Sequence, residues 1–129
     1  MKAIVLAGGK GTRLKPYTTA LPKPLMPIGD KPVLELVLLH LRKYGITNVT
    51  LAVNHLAELI RAFFGDGSRW DITLRYSVED RPLSTVSPLR ILDEELPGTF
   101  IVMNGDVITD LNMLELLRSH ESSGALLTV

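Results

Sequence analysis

Cysteine is absent from all 129 residues. That excludes a disulfide scaffold, an iron–sulfur cluster, a thiolate zinc site and a cysteine nucleophile, and it fits a reducing compartment. Histidine is scarce: His40, His55 and His120 are scattered without ligand spacing, so they read as structural or solvent-facing rather than as a zinc set. Net charge is lacking too, since 14 Lys and Arg balance 14 Asp and Glu. Without a broad basic field, binding to nucleic acid or to an anionic membrane has no electrostatic basis, and any positive site must be local. Aromatics are only 5% of the chain, too few for a base-stacking platform. No apolar run approaches the ~20 residues that cross a bilayer, and Ala3 to Ala7 is too short for a signal-peptide core before Gly8-Gly9 stops it. These absences predict a cytoplasmic, soluble protein with neither a nucleic-acid nor a membrane partner. What is present, 46% hydrophobic and 22% charged residues, suffices for the core of a single domain over residues 1–129.

Hydrophobic patterning alternates between strand and helix. Ala3-Ile4-Val5-Leu6-Ala7 is continuous, partly β-branched and ends in glycines, which predicts a strand buried on both faces. Val33 to Leu41 is broken only by Glu35 and His40 and predicts a largely buried helix, with Asp30 as N-cap, Pro32 in the first turn and Gly45 at the stop. Asn48 to Val53 reads as a strand, and His55 to Phe64 as a helix ended by Gly65-Asp66-Gly67. Trp70 to Val78 alternates as a half-buried strand, Pro88 to Leu96 suggests a helix, and Thr99 to Met103 a buried strand. Leu111 to Ser119 is helical with Asp110 as a cap, and Ala125 to Val129 is a final apolar, β-like run. The pattern predicts an α/β layered domain with a mainly parallel sheet and right-handed crossovers. Ligands of such sheets bind beyond the carboxyl ends of the strands, and the two most polar breaks, residues 8–16 and 104–106, both follow predicted strands. On neighbouring strands they would set a phosphate loop opposite a carboxylate, an arrangement suited to a metal-bound nucleotide.

Gly8-Gly9-Lys10-Gly11-Thr12-Arg13-Leu14 contains three glycines, so backbone N–H groups can approach an anion unobstructed by Cβ atoms, with Lys10 and Arg13 flanking Gly11. Taken alone, a glycine-rich turn after a strand is weak evidence, because an ordinary tight turn also explains these glycines. The Gly-Lys-Ser/Thr ending of a P-loop is missing, and Pro16 opposes the immediate helix of a dinucleotide fingerprint. Further on, Pro16, Pro22, Pro24 and Pro27 stiffen an extended loop that presents Arg13, Lys15 and Lys23 in a fixed arrangement. Lys23 by itself is equally a surface lysine. Asp106, in Asn104-Gly105-Asp106, is either a hard oxygen ligand suited to Mg²⁺ or an aspartate of a turn or helix start, while Asp110 reads better as the next helix cap.

Residues 8–27 resemble the sugar-1-phosphate nucleotidyltransferases (nucleoside-diphosphate-sugar pyrophosphorylases), matching G-G-x-G-T-R-L-x-P-x-T-x-x-x-P-K-P-L-x-P throughout. The similarity continues through Lys31-Pro32, Val53-Asn54, Phe64 to Gly67 and Val102 to Val107, the last stretch being most like mannose-1-phosphate guanylyltransferases. The resemblance implies a three-layer Rossmann-like (glycosyltransferase A-like) fold, truncated relative to the family. It also implies nucleotidyl transfer from a nucleoside triphosphate, GTP by its leaning, to a sugar 1-phosphate with Mg²⁺ assisting. It places Leu6, Ala7, Gly8, Gly9, Gly11, Thr12, Arg13, Lys23 and Glu79 against the nucleotide, makes Arg13 and Lys23 catalytic, and makes Asp106 the first metal aspartate. The residue types suit these roles. Arg13 is always protonated and donates several hydrogen bonds, as a triphosphate tail and departing pyrophosphate require. Lys23 would serve the α-phosphate as a mobile point charge. Glu79 is acceptor-only and would favour the adjacent N1–H and N2–H donors of guanine, although a surface pair with Arg75 or Arg81 explains it equally.

Two departures from the family pattern matter. Where the family continues Pro-Leu-Gly-Thr-Ala-Gly, this chain reads Pro82-Leu83-Ser84-Thr85-Val86-Ser87. The larger residues either obstruct base and ribose or shift the loop so that hydroxyls replace a water. The part of the family that carries the sugar contacts and a second metal aspartate has no counterpart here, so the sugar is not identified. A strand expected between the one ending at Met103 and Ala125 to Val129 is also missing, leaving an open sheet edge suited to strand exchange or a homo-oligomer. Two expectations follow: an enzyme or the N-terminal half of one, or a non-catalytic nucleotide-binding or assembly module.

Overall fold

The computed structural model describes residues 1–9, 11–54, 56–78 and 98–129. Its strands are β1 (Lys2–Leu6), β2 (Pro27–Ile28), β3 (Lys31–Pro32), β4 (Asn48–Val53), β5 (Thr73–Val78) and β6 (Phe100–Asn104). Its helices are α1 (Val33–Lys43), α2 (Ala57–Phe64) and α3 (Met113–Ser123). One sheet has the order β5-β4-β1-β6 and is parallel throughout, while β2 and β3 form a small antiparallel hairpin. The expected α/β fold with a mainly parallel sheet is therefore observed.

β1 lies between β4 and β6, with Leu6 level with Ala52 on one side and Asn104 on the other. Alternation sends Ala3, Val5 and Ala7 into the main core and Ile4 to the opposite face, where it is also fully buried. Burial on both faces is why this strand is an unbroken apolar run. The main core adds Val49, Leu51, Val53, Leu74 and Ile101 from the sheet and packs them against α1, α2 and α3. Leu34, Val37, Leu38 and Leu41 come from α1, Ile60 and Phe64 from α2, and Met113 and Leu117 from α3.

Helix α1 ends as expected. Gly45 takes φ +74°, its N–H donates to the Arg42 carbonyl, and the Ile46 N–H reaches back to the Leu41 carbonyl, a Schellman-type closure with Ile46 buried behind it. Its start differs from the expectation. Asp30 does not cap it, because Lys31–Pro32 pairs with Pro27–Ile28 and leaves Asp30 in the exposed hairpin turn. Pro32 occupies the N-cap position, and the Val33 N–H donates to the Met26 carbonyl.

Other boundaries shift for local reasons. Trp70 belongs to the turn Ser68–Trp70, and β5 begins only at Thr73. Gly67, at φ +84°, receives both the Trp70 and Ile72 N–H groups on its carbonyl, so the chain must turn before it can extend. Helix α2 begins at Ala57, and His55 lies outside the described residues. β6 is not buried on both faces, since Val102 stays 41% exposed on a strand whose described partner is β1 alone. Helix α3 is capped by Asn112, whose side-chain oxygen accepts from the N–H groups of Leu114 and Glu115, and not by Asp110. Residues Ala125 to Val129 form no strand, and Leu126 and Val129 are fully exposed. A short apolar run extends stably only beside a partner strand. The helix expected at Pro88 to Leu96 lies outside the described residues. Among the described residues no helix is long and apolar enough to cross a membrane.

Candidate functional site

Because β1 and β6 are parallel neighbours in register, their carboxyl ends deliver Gly8 and Asp106 to the same edge of the sheet. The ladder continues one step past the strands, where the Gly105 N–H donates to the Leu6 carbonyl and the Ala7 N–H to the Ala52 carbonyl. Close approach there depends on glycine. A Cβ on Gly105 would stand 3.2 Å from a Val5 methyl, and one on Gly8 would stand 3.3 Å from the Asn54 Cβ. The polar breaks after the two strands thus share one edge, as the sequence pattern predicts, and the pairing of β1 with β6 makes them neighbours, which the pattern left open.

The loop beyond Gly8 is held by the proline-rich segment that follows it. Three short helical turns, Thr12–Leu14, Tyr17–Thr19 and Lys23–Leu25, carry the chain around, and Thr18, Pro22 and Pro24 are buried beneath them. The buried Thr18 hydroxyl donates to the Gly11 carbonyl at 2.8 Å. Gly11 takes φ +57°, and a Cβ there would lie 2.8 Å from the Thr18 methyl and 3.3 Å from the Lys23 Cβ. Any other residue would be strained and crowded at this point. With its carbonyl engaged inward, Gly11 joins Gly9 in having a backbone N–H that meets no acceptor among the described residues. Around Gly9 the described residues leave open space, with none of their atoms within 4 Å of an added Cβ.

The same folding back carries the Lys23 ammonium to the Asp106 carboxylate, 83 residues away in the chain. Both side chains remain about one-third exposed, at 37% and 31%, so the pair itself contributes little stability. Arg13 sits in the middle of the first short turn, exposed and without an ion pair to any described residue. Thr12 is exposed beside it, Leu6 is half-buried and Ala7 buried at the strand end. The structure therefore joins Gly11, Lys23 and Asp106 by contact beside the strand end Leu6, Ala7 and Gly8, with Gly9, Thr12 and Arg13 on the same loop, while Glu79 and the Ser84, Val86 and Ser87 positions lie outside the described residues. Sequence reasoning missed two features. The direct pairing of Lys23 with Asp106 has no local signal, and the role of Thr18 was readable only as a motif threonine followed by Pro-Lys-Pro.

No group of three or more potential metal-ligating side chains occurs among the described residues. Asp106 nevertheless suits Mg²⁺, which characteristically takes one or two protein carboxylates and completes its shell with phosphate oxygens and water. A second polar recess, lined by Asp66, Ser68, Asp71, Ile72, Thr73 and Leu74, sits at the amino end of β5 and so at the opposite edge of the sheet. Within it, the hydroxyl and N–H of Ser68 hold the exposed Asp66 carboxyl below its ordinary value of 3.8. Nearby, burial raises the Tyr76 phenol, Arg61 opposing and Asp66 adding to the shift.

Fold and site together define an α/β protein in which a parallel sheet brings a glycine-rich loop and the Asp106 carboxylate to one carboxyl edge. Its sequence places it further: the family model for nucleotidyl transferases matches residues 2–129, and the chain belongs to that family. It is 38% identical to UTP–glucose-1-phosphate uridylyltransferase of Synechocystis, over the whole chain and 36% of that protein. It is also 38% identical to mannose-1-phosphate guanyltransferase of Hypocrea jecorina, over 96% of the chain and 35% of that protein. Among solved structures, HddC from Yersinia pseudotuberculosis complexed with GMP-PN superposes with a TM-score of 0.82 at 28% identity, covering 92% of this chain and 53% of that one. The chain spans about a third of the length of the curated relatives it matches.

Proposed function

We propose that this chain forms the nucleotide-handling part of a sugar-1-phosphate nucleotidyltransferase. The observation that carries the proposal is the meeting of Lys23 with Asp106 beside the backbone N–H groups of Gly9 and Gly11, at the shared carboxyl edge of β1 and β6. In the reaction, a phosphoryl oxygen of the sugar 1-phosphate forms a bond to the α-phosphorus of the triphosphate. The bond from that phosphorus to the bridging oxygen breaks, and pyrophosphate leaves with its electron pair. No general base is needed, because the attacking phosphate is already anionic at neutral pH. Catalysis rests on positioning and charge neutralisation. The N–H groups of Gly9 and Gly11 receive phosphate oxygens, Arg13 takes the charge that develops on pyrophosphate, and Lys23 serves the α-phosphate. Asp106 would hold Mg²⁺, which when bound supplies further neutralisation of phosphate charge.

Guanine is the favoured base. Glu79 supplies acceptors matched to its N1–H and N2–H, which the uracil of the equally similar uridylyltransferase's substrate does not offer as a pair. Calorimetric titration of the chain with GTP, UTP, dTTP and ATP, with and without Mg²⁺, tests the reading. Mg²⁺-dependent binding, tightest for GTP and weakened at least tenfold in Arg13→Ala and Asp106→Asn, is expected. Binding that ignores both substitutions would overturn it. A second reading, nucleotide binding without turnover, is favoured by Ser84, Val86 and Ser87, which stand where the family has smaller residues. GTP binding without pyrophosphate release, when mannose 1-phosphate is supplied, would support that reading.

A further inference from the structure

The Lys23 ammonium lies on the oxygen that a metal ion would need. Its nitrogen contacts Asp106 Oδ2, while its Cβ flanks the site where Gly11 lacks a side chain. The stem of Lys23 is fixed, since its backbone belongs to the turn Lys23–Leu25 between buried Pro22 and Pro24, with the Met26 N–H donating to the Lys23 carbonyl. From that fixed stem the four-carbon chain commands two anion positions, Asp106 on β6 and the glycine loop after β1. A divalent cation and an ammonium cannot share Oδ2 without strong mutual repulsion, because like charges a few ångströms apart oppose each other even in a partly solvated site.

We propose that Lys23 is an exchangeable counter-ion: it neutralises Asp106 in the ligand-free chain and moves to nucleotide phosphate when metal takes its place. The inference rests on the nucleotidyl-transfer reading above and adds a coupling to it. Nucleotide offers the displaced ammonium a new anion, so metal and nucleotide each favour binding of the other, and the coupling is reciprocal. Metal alone gains no such compensation and binds weakly. The site therefore discriminates against a bare divalent ion and is completed only by the metal–nucleotide pair. Lys23 thereby has a role before any chemistry, distinct from its contact with the α-phosphate.

The test is titration of the full chain with Mn²⁺ alone, following free ion by electron paramagnetic resonance. Lys23→Gln is expected to bind Mn²⁺ about tenfold more tightly than the unmodified chain, a coupling of ordinary allosteric size. Lys15→Gln removes a positive charge from the same exposed loop, where Lys15 makes no ion pair with a described residue, and is expected to stay within about twofold of the unmodified chain. Asp106→Asn, alone and combined with Lys23→Gln, is expected to abolish the binding. Equal affinity in the unmodified chain and Lys23→Gln, with Asp106 still required, overturns the counter-ion inference and leaves the metal position standing. Equal gains from Lys15→Gln and Lys23→Gln overturn it too, because the effect would then be one of general charge. Binding that is indifferent to Asp106 in every variant overturns the metal position itself.

Discussion

Two glycine-containing loops of this protein, Gly8 to Gly11 after β1 and Gly65 to Gly67 after α2, use the same residue for different ends. The second loop is closed on itself. The Trp70 and Ile72 N–H groups donate to the Gly67 carbonyl, Leu74 donates to Asp66, and the Tyr76 hydroxyl donates to the Gly65 carbonyl. An added Cβ on Gly67 would stand 2.5 Å from the Ile72 carbonyl oxygen. Glycine is there to let backbone pack on backbone. In the first loop only Gly8 and Gly11 are crowded, while Gly9 faces open space and, like Gly11, has an N–H without an acceptor among the described residues. Among the described residues, nothing packs against the side of Gly9 where a side chain would stand, and no acceptor meets its N–H.

Substitutions at these glycines separate the two uses. Gly67→Ala places a methyl against a backbone carbonyl at φ +84°, and a loss of about 2–4 kcal/mol is expected from the combined clash and left-handed strain. Chemical denaturation would measure it, with nucleotide affinity of the remaining folded chain unchanged. Gly11→Ala, at φ +57° against the Thr18 methyl and the Lys23 stem, is expected to cost about 1–2 kcal/mol of stability and to weaken nucleotide binding as well, since both depend on that loop. Gly9→Ala has space and no positive φ, so stability should move by no more than about 0.5 kcal/mol. Its nucleotide Kd should rise about tenfold, equivalent to ~1.4 kcal/mol, because the methyl occupies the approach to the donors. A Gly9→Ala chain that binds nucleotide normally would remove the functional half of the comparison.

The smallest effect belongs to Asp66. Its carboxyl is held below 3.8 by Ser68, so the native state favours the ionised form; the resulting stability is present above the ordinary carboxylate value and is lost as pH falls through the lowered one. Asp66→Asn should therefore flatten the acid limb of a melting-temperature profile below about pH 4, with little change at neutral pH. The group is exposed, which keeps the effect slight. An acid limb unchanged by the substitution would show that the Ser68 contacts do not persist in solution.

Much of this was legible before the structure, and the failures share a cause. The stop of α1 at Gly45 and the strand Asn48–Val53 follow from local chemistry, a left-handed glycine and a β-rich run, and both stand where the pattern predicts. That the breaks after β1 and β6 share one edge follows from the rule for parallel sheets, whereas their adjacency comes from the strand order of the fold. What local chemistry could not supply was competition between neighbours. Asp30 was an eligible cap until β2 and β3 paired, and Asp110 yielded to Asn112, whose oxygen reaches two N–H groups. Ala125 to Val129 has strand composition but, among the described residues, no strand beside it. At the site, the glycines and charges announced themselves through the motif, whereas the Lys23–Asp106 contact joins residues 83 positions apart and exists only in the fold.

The central claim, that nucleotide phosphate lies on the loop after β1 beside Asp106, is tested most directly by ¹H–¹⁵N spectra of the chain titrated with Mg²⁺ and GTP. The account predicts that the amides of Gly9, Gly11 and Asp106 move most and that those of Gly65, Gly67 and Leu74 stay in place. The reverse pattern, or shifts confined to the recess around Asp66 and Asp71, would contradict it.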